Sequence, residues 1–279
     1  MDLVPVWSKA DVAKHLPPRK TASHKGSYGT ALLVAGSPDM PGAAMLAAKA
    51  AMRSGLGKLV VATDKESILP LAVHIPEATF EVGLPEKLQR GDSSSATYRS
   101  AAIGPGMPPD SKTENTVNFL IDLGIPLVLD AGALSPRDYS RTAAPVILTP
   151  HPAEFSRITG ISVDKIQKNR AIIAAEWAAK WQVTIVLKGP GTITAFPDGK
   201  TVRNPTGNSA LAKGGTGDTL TGMLLGMLCL HDNWQHAVLN AVHLHGACAD
   251  EWTKTSSAHT LLAHELADLL PEVMKSYEQ

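Results

Sequence analysis

Short apolar runs bounded by glycine, proline and other turn formers recur along the first two thirds of the chain, at residues 30–35, 58–62, 79–82, 100–103, 126–129, 146–148 and 184–187. Most are rich in Val, Ile and Leu and lack the polar alternation of a strand with one wet face. They predict strands covered on both sides. Between many of them apolar positions fall at helical spacing, notably over 42–54, 114–123 and 164–181. Alternating strands and helices predict an α/β fold in three layers, a mostly parallel central sheet with helices on both faces. After residue 187 the rhythm changes. Segments 192–196 and 200–203, joined by Pro197-Asp198-Gly199, predict a late β-hairpin, and helices are expected over 217–230, 235–252 and 258–274. The polar, low-complexity segment 89–97 (QRGDSSSAT) reads as a surface loop, and no internal repeat divides the chain. A single domain over 1–279 is expected, with 1–24 as an N-terminal extension.

Composition narrows the partners. With 44% hydrophobic residues in 279, the chain can bury a large core. Lys+Arg and Asp+Glu are both 26, so no global field recruits nucleic acid or an anionic membrane. The basic cluster Lys9, Lys14, Arg19, Lys20 and Lys25 is broken by Pro17-Pro18 and has neither an apolar leader behind it nor the motifs of an RNA module. It reads as a solvated face. The longest apolar helical run, 220–230, is about half the ~20 residues of a membrane span. Cys229 and Cys248 sit in apolar helical patterns without CxxC spacing and read as buried thiols in a reducing compartment, so a cytoplasmic location is expected.

The chemistry concentrates at Gly214-Gly215-Thr216-Gly217-Asp218, directly before an apolar helical run. Glycine lets backbone N–H groups turn inward, and the first turn of a helix leaves its donors unpaired, so a phosphate or developing oxyanion is the natural occupant. Asp218 is out of place beside an anion unless it takes a proton from the group that attacks the phosphate; the other reading is a first-turn Asp that stabilises the helix dipole. Two influences on its proton affinity oppose each other, since the helix N-terminus favours the carboxylate and nearby phosphates disfavour it. Lys188-Gly189-Pro190-Gly191-Thr192 follows a strand and offers glycine backbone and a cation to a second phosphate, or else a lysine reaching water. Neither GxxxxGK[ST] nor a GxGxxG dinucleotide fingerprint occurs. His151 and Glu154, in Thr149-Pro150-His151-Pro152-Ala153-Glu154, stand at a helix start, where Glu154 could orient a metal-bound water or simply complete a capping arrangement. Asp130 follows a strand and could serve the site or cap a helix. His243 and His245 project about 200° apart on one helix and His236 and His243 lie roughly 10 Å apart along it, so no single ion can use them together.

Six ordered blocks resemble one known family: KGSYGTALLVAGSPDMPGAAMLAAKAAMRSGLGKL (25–59), AIGPG (102–106), LVLDAGAL (127–134), ILTPHPAEFSRI (147–158), VLKGPGT (186–192) and NPTGNSALAKGGTGDTLTG (204–222). Together they are similar to the ADP- or ATP-dependent NAD(P)H-hydrate dehydratases, repair enzymes with a ribokinase-like fold. Many members carry an N-terminal epimerase domain. This chain has no room for one, so it resembles the stand-alone bacterial form and would share its metabolite with a separate epimerase. The resemblance implies phosphorylation of the added hydroxyl of NADHX or NADPHX and elimination of phosphate, with ADP as donor and AMP as product. It implies Asp218 as the proton acceptor, amides of Gly215, Thr216 and Gly217 around the transferred phosphoryl group, and Lys188, Gly189, Pro190, Gly191, Thr192 and Gly217 at the adenine nucleotide. Ala44, Gly106, His151, Asn208 and Asp218 would lie along the hydrated dinucleotide, Mg²⁺ would bind through phosphates and water with Glu154 in its outer shell, and family relatives suggest a homotetramer. A vitamin or sugar kinase of the same fold would use the same loop and aspartate, and a nucleotide-binding module without turnover would use them only to bind.

Overall fold

The computed structural model describes residues 4–84, 87 and 97–278. Nine strands form one sheet in the order β3-β2-β1-β4-β5-β6-β7-β8-β9. They are β1 (Thr30–Val34), β2 (Lys58–Thr63), β3 (Thr79–Val82), β4 (Ser100–Ile103), β5 (Leu127–Leu129), β6 (Val146–Leu148), β7 (Thr184–Leu187), β8 (Ile193–Ala195) and β9 (Thr201–Arg203). Pairing is parallel from β3 across to β7. The last two strands run antiparallel, as the hairpin reading requires.

Both faces of this sheet are dry, which explains why its strands show no polar alternation. In β1, Ala31 and Leu33 enter one core while Leu32 and Val34 enter the other. The first core is closed by α2 (Pro41–Arg53), α8 (Thr216–Leu230), α9 (Trp234–Trp252) and α10 (Ala263–Lys275), and the second by α4 (Ser111–Asp122), α5 (Pro152–Thr159), α6 (Val163–Lys168) and α7 (Arg170–Trp181). The three expected layers are therefore present.

The departures from expectation have local causes. The helix expected over 164–181 is two helices, because Asn169 leaves helical geometry at φ −135° and ψ 38°. The last helix starts at Ala263, not 258, where Glu265 folds back to accept the Leu262 N–H at 2.7 Å. Two helices have no counterpart in the apolar pattern. The first, α1 (Lys9–His15), lies within the basic cluster and is started by the Ser8–Asp11 capping box. The other, α3 (Lys65–His74), tolerates Pro70 in its interior. Segment 89–97 lies outside the described residues except for Thr97. The N-terminal stretch is not an isolated arm: Arg203 N–H donates to the Pro5 carbonyl at 2.8 Å and the Trp7 indole to Asn240 Oδ1 at 2.8 Å.

Small residues set the depth at which α8 sits. A Cβ on Gly222 would lie 2.0 Å from the Ala47 carbonyl oxygen, and one on Gly226 would lie 2.6 Å from that of Ala51. The obstacle is backbone, which cannot swing aside. Gly222→Ala is therefore expected to lower the stability measured by chemical denaturation by about 1–3 kcal/mol, the range for an overpacked core, and to reduce turnover by displacing the start of α8. A thermal midpoint and activity equal to wild type would show that α2 and α8 part freely. Among the described residues no helix is long and apolar enough to cross a membrane.

Candidate active site

Parallel pairing brings the ends of β5, β6 and β7 to one edge, so the residues that follow them, Asp130, Thr149 and Lys188, become neighbours. Asp130 is 2% exposed. Its Oδ1 accepts from Lys188 Nζ at 2.9 Å and Thr149 Oγ1 at 2.7 Å, and its Oδ2 from Thr221 Oγ1 at 2.9 Å. It makes no side-chain cap to the turn at Ala131–Ala133, so the helix-cap reading of Asp130 does not hold. Gly104 makes this geometry possible, since a Cβ there would lie 1.8 Å from the Asp130 carbonyl oxygen.

Helix α8 points its N-terminus at this carboxylate and lysine. Gly215 is its N-cap at φ 90°, a conformation that suits glycine, and no side chain caps the first turn. The amides of Thr216, Gly217 and Asp218 have no carbonyl one turn back to bond. Gly217 faces the cation, with the position of a Cβ only 3.2 Å from Lys188 Nζ. The Thr216 hydroxyl is spent inside the loop, donating to the Leu211 and Lys213 carbonyls at 2.9 and 3.0 Å, so only its amide faces outward as a donor. His245 Nε2 donates to the Thr216 carbonyl at 2.9 Å, since a carbonyl can only accept, and burial pushes this histidine down to about 4, which keeps it neutral.

Asp218 stands half-buried in the first turn, and its acidity is far from ordinary. Burial, foremost, and then the Asp130 charge push it up to about 7, with Glu154 adding to the rise and Lys188 opposing it. To the two influences read from the sequence the fold thus adds desolvation and a like charge, both raising the value. Lys188 is not a lysine reaching water. Burial pulls its pKa down, but Asp130, Glu154 and Asp218 together hold it above the usual lysine value, so it stays protonated. Glu154 lies 3.7 Å from Lys188 and accepts the His151 N–H at 2.8 Å, while His151 Nδ1 accepts from the Ala153 and Glu154 amides. The two residues therefore cap α5 mutually, and Glu154 also faces the site.

A cavity of about 340 Å³ opens beside this centre, walled by Lys188 to Thr192 on one side and by Gly217, Leu220 and His245 on another. Gly189 and Gly191 have φ 139° and 60°, and a side chain on Gly189 would meet the Arg170 guanidinium at 2.8 Å. Asn208 lines this same cavity, apart from the other residues that the resemblance places along the dinucleotide. Its amide is bound to Ala249, Asp250 and Thr253 of α9 and its C-terminal end. Ala44 is fully buried in the first turns of α2 and Gly106, at φ 67°, is buried against Ala43 and the Met40 carbonyl, so both shape the floor of the strand-end edge from beneath. The His151 side chain is half exposed.

Sequence reading missed Thr221 and the bonding of Thr149. Thr221 carried a usable signal, three residues after Asp218 and so on the same helix face. Among the described residues no group of three His, Cys, Asp or Glu is arranged to hold a metal.

This architecture has close counterparts. A solved structure of a ribokinase-like superfamily protein from Enterococcus faecalis V583 superposes with a TM-score of 0.84 at 27% identity, covering 99% of this chain and 97% of that one. The crystal structure of the ADP/ATP-dependent NAD(P)H-hydrate dehydratase from Bacillus subtilis, co-crystallised with ATP/Mg²⁺, gives a TM-score of 0.96 at 56% identity over 100% of both chains. In sequence, the chain is 57% identical over 276 residues to the ADP-dependent (S)-NAD(P)H-hydrate dehydratase of Bacillus subtilis strain 168, covering 99% of each. The family profile described as NAD(P)H-hydrate dehydratase matches residues 31–272. The fold is ribokinase-like, and the chain belongs to the NAD(P)H-hydrate dehydratase family.

Proposed function

We propose that the chain restores NADH and NADPH from their hydrates, using ADP to phosphorylate the added hydroxyl and releasing AMP and phosphate. The observation that carries this reading is the uncapped first turn of α8 with Asp218, raised to about 7, beside a protonated Lys188. A carboxylate of that strength is ionised in half the molecules near neutral pH and still basic enough to take a hydroxyl proton. The B. subtilis relative's name supplies the substrate class.

The chain's residues divide the work. ADP lies in the cavity walled by Lys188 to Thr192, with its terminal phosphate toward Gly217. Asp218 takes the proton of the substrate hydroxyl as its oxygen bonds to phosphorus and the bond to AMP breaks. The amides of Gly215, Thr216 and Gly217, joined by that of Asp218 and by Lys188, face the charge on the transferred phosphoryl group. Loss of phosphate from one ring carbon and a proton from its neighbour then regenerates the reduced nicotinamide. Phosphate leaves far more readily than hydroxide, which is what the phosphoryl donor supplies. Magnesium, when bound, neutralises phosphate charge; the donor set fits an ion held by phosphate oxygens and water, with Glu154 as the carboxylate that orients such a water.

The test is direct. The purified chain supplied with ADP, Mg²⁺ and hydrated NADH should restore nicotinamide absorbance with stoichiometric AMP. A vitamin or sugar kinase predicts instead no recovery and a phosphorylated alcohol accumulating with ATP, and that result would overturn the proposal.

A further inference from the structure

A second cavity, of about 460 Å³, lies along the same edge of the sheet and plays no part in the centre described above. Its walls are the ends of β1, β2 and β3, at Val34 to Pro38, Ala62 to Glu66 and Val82 to Leu84, together with residues 107–108, 110 and 112–113 after β4. The strand order explains its position. The chain builds outward from β1 to β2 to β3 and then returns to the other side of β1 with β4, so the order reverses between β1 and β4. In open α/β sheets ligands bind outside the strand ends at such a reversal, and an acidic residue after the second strand is the group that reads a ribose diol.

That position holds Asp64, and its carboxylate is free. An Asp at a helix N-cap ordinarily accepts from the first-turn amides. Asp64 is the N-cap of α3, where its carbonyl accepts from the Ser67 amide at 3.1 Å, but its carboxylate makes no such bond and has no hydrogen-bond or ion-pair partner among the described residues. Beside it, the buried Thr63 hydroxyl is also without a partner. The buried hydroxyl carries a cost unless something completes it, and the partly exposed carboxylate beside it is left available to a ligand. The remaining wall is suited to a purine, with Val34, Ala62, Val82, Leu84 and Met107 as apolar surface.

The distance to the reaction centre is right for one molecule to serve both. Asp130, Gly104, Gly36 and Asp64 follow four neighbouring strands, β5, β4, β1 and β2, and three strand spacings come to about 14 Å. The intervening surface is kept low by glycine: a Cβ on Gly104 would strike Asp130, and one on Gly106 would lie 3.3 Å from the Gly36 Cα. This is the reach of an extended dinucleotide between its two ribose rings.

Resting on the dehydratase reading, we infer that this cavity receives the adenosine half of the hydrated dinucleotide, with Asp64 accepting from the two hydroxyls of its ribose. A phosphate on the 2′ oxygen removes one of those donors and brings a like charge to Asp64, which Glu66 and Asp110 on the same wall reinforce and Lys65 and Lys112 only partly offset. The site therefore favours the dinucleotide without the 2′-phosphate.

Affinity for NADH and NADPH, read from nicotinamide fluorescence with the intact protein, tests this without turnover. Wild type should bind NADH more tightly than NADPH. In Asp64→Ser and in the isosteric Asp64→Asn, NADH affinity should fall about tenfold, the usual worth of a hydrogen bond to a charged group, and NADPH affinity by less than about threefold. A NADH-to-NADPH ratio unchanged by both variants overturns the inference, as does failure of wild type to bind either dinucleotide. A variant that merely misfolds lowers both affinities together, and its thermal midpoint reveals it. Absence of ADP-driven recovery would defeat the dehydratase reading alone and leave the affinity ratio to decide this one.

Discussion

Asp218→Asn is expected to lower kcat with hydrated NADH by about 10²–10⁴-fold, the range for removal of a general base, while calorimetry finds ADP binding largely retained. The separation follows because Lys188, at the cavity wall, keeps Asp130 and Glu154 as its stronger counter-charges when Asp218 loses its charge. The pH dependence follows from the raised proton affinity. Only the ionised carboxylate can accept a proton, so wild-type kcat/KM should climb as pH rises toward about 7 and level off above it, and the residual rate of the variant should be flat across that range. Stability moves the other way. A carboxyl group with a folded-state value above its unfolded value favours folding while protonated, and that contribution is lost as pH rises from the ordinary carboxylate range through 7. Asparagine cannot ionise. The variant should therefore melt higher than wild type at pH 8, with the two nearly alike at pH 4. Loss of ADP affinity in parallel with rate, or a pH-independent wild type, would sink the base assignment.

Asp130 makes a second, larger structural prediction. Removing one partner of a buried ion pair typically costs about 3–5 kcal/mol, because the other charge is left uncompensated. Asp130→Ala takes from Lys188 its hydrogen-bonded counter-charge and from Thr221 its acceptor, while Thr149 keeps the Leu129 carbonyl at 3.2 Å, so chemical denaturation should show a loss toward the lower end of that range. Asp130→Asn tests the electrostatics with less damage to packing. It keeps the shape and an acceptor but removes the like charge that helps raise Asp218, so the rise in kcat/KM should move to lower pH. A profile that stays centred near 7 in Asp130→Asn, combined with a stability loss under about 1 kcal/mol in Asp130→Ala, would mean that the two carboxylates do not communicate.

The layers were legible because burial on both sides leaves a simple mark. Ile147 and Leu148 face opposite cores, as Ala31 and Leu32 do, and a strand dry on both faces becomes a short unbroken apolar run. What the pattern could not supply was decided by single residues against their surroundings. Asn169 interrupts a helical period that continues on both sides of it, and Pro70 sits in a helix that its presence argues against. The glycine loop was legible for a different reason. Gly215 at φ 90° followed by an uncapped turn is a local arrangement, written in consecutive residues. Asp130 was ambiguous because its partners Thr149, Lys188 and Thr221 lie 19, 58 and 91 residues away, and no spacing along the chain distinguishes that carboxylate from a helix cap.

By itself, then, the amino-acid sequence determined the alternation of elements, the family, and the presence of a carboxylate in a glycine-led helix start, since each depends on neighbouring residues. Tertiary structure alone decided how strongly that carboxylate holds its proton and what stands around it. Desolvation and the charges of Asp130, Glu154 and Lys188 act through space, and only folding brings the ends of β5, β6 and β7 against the start of α8.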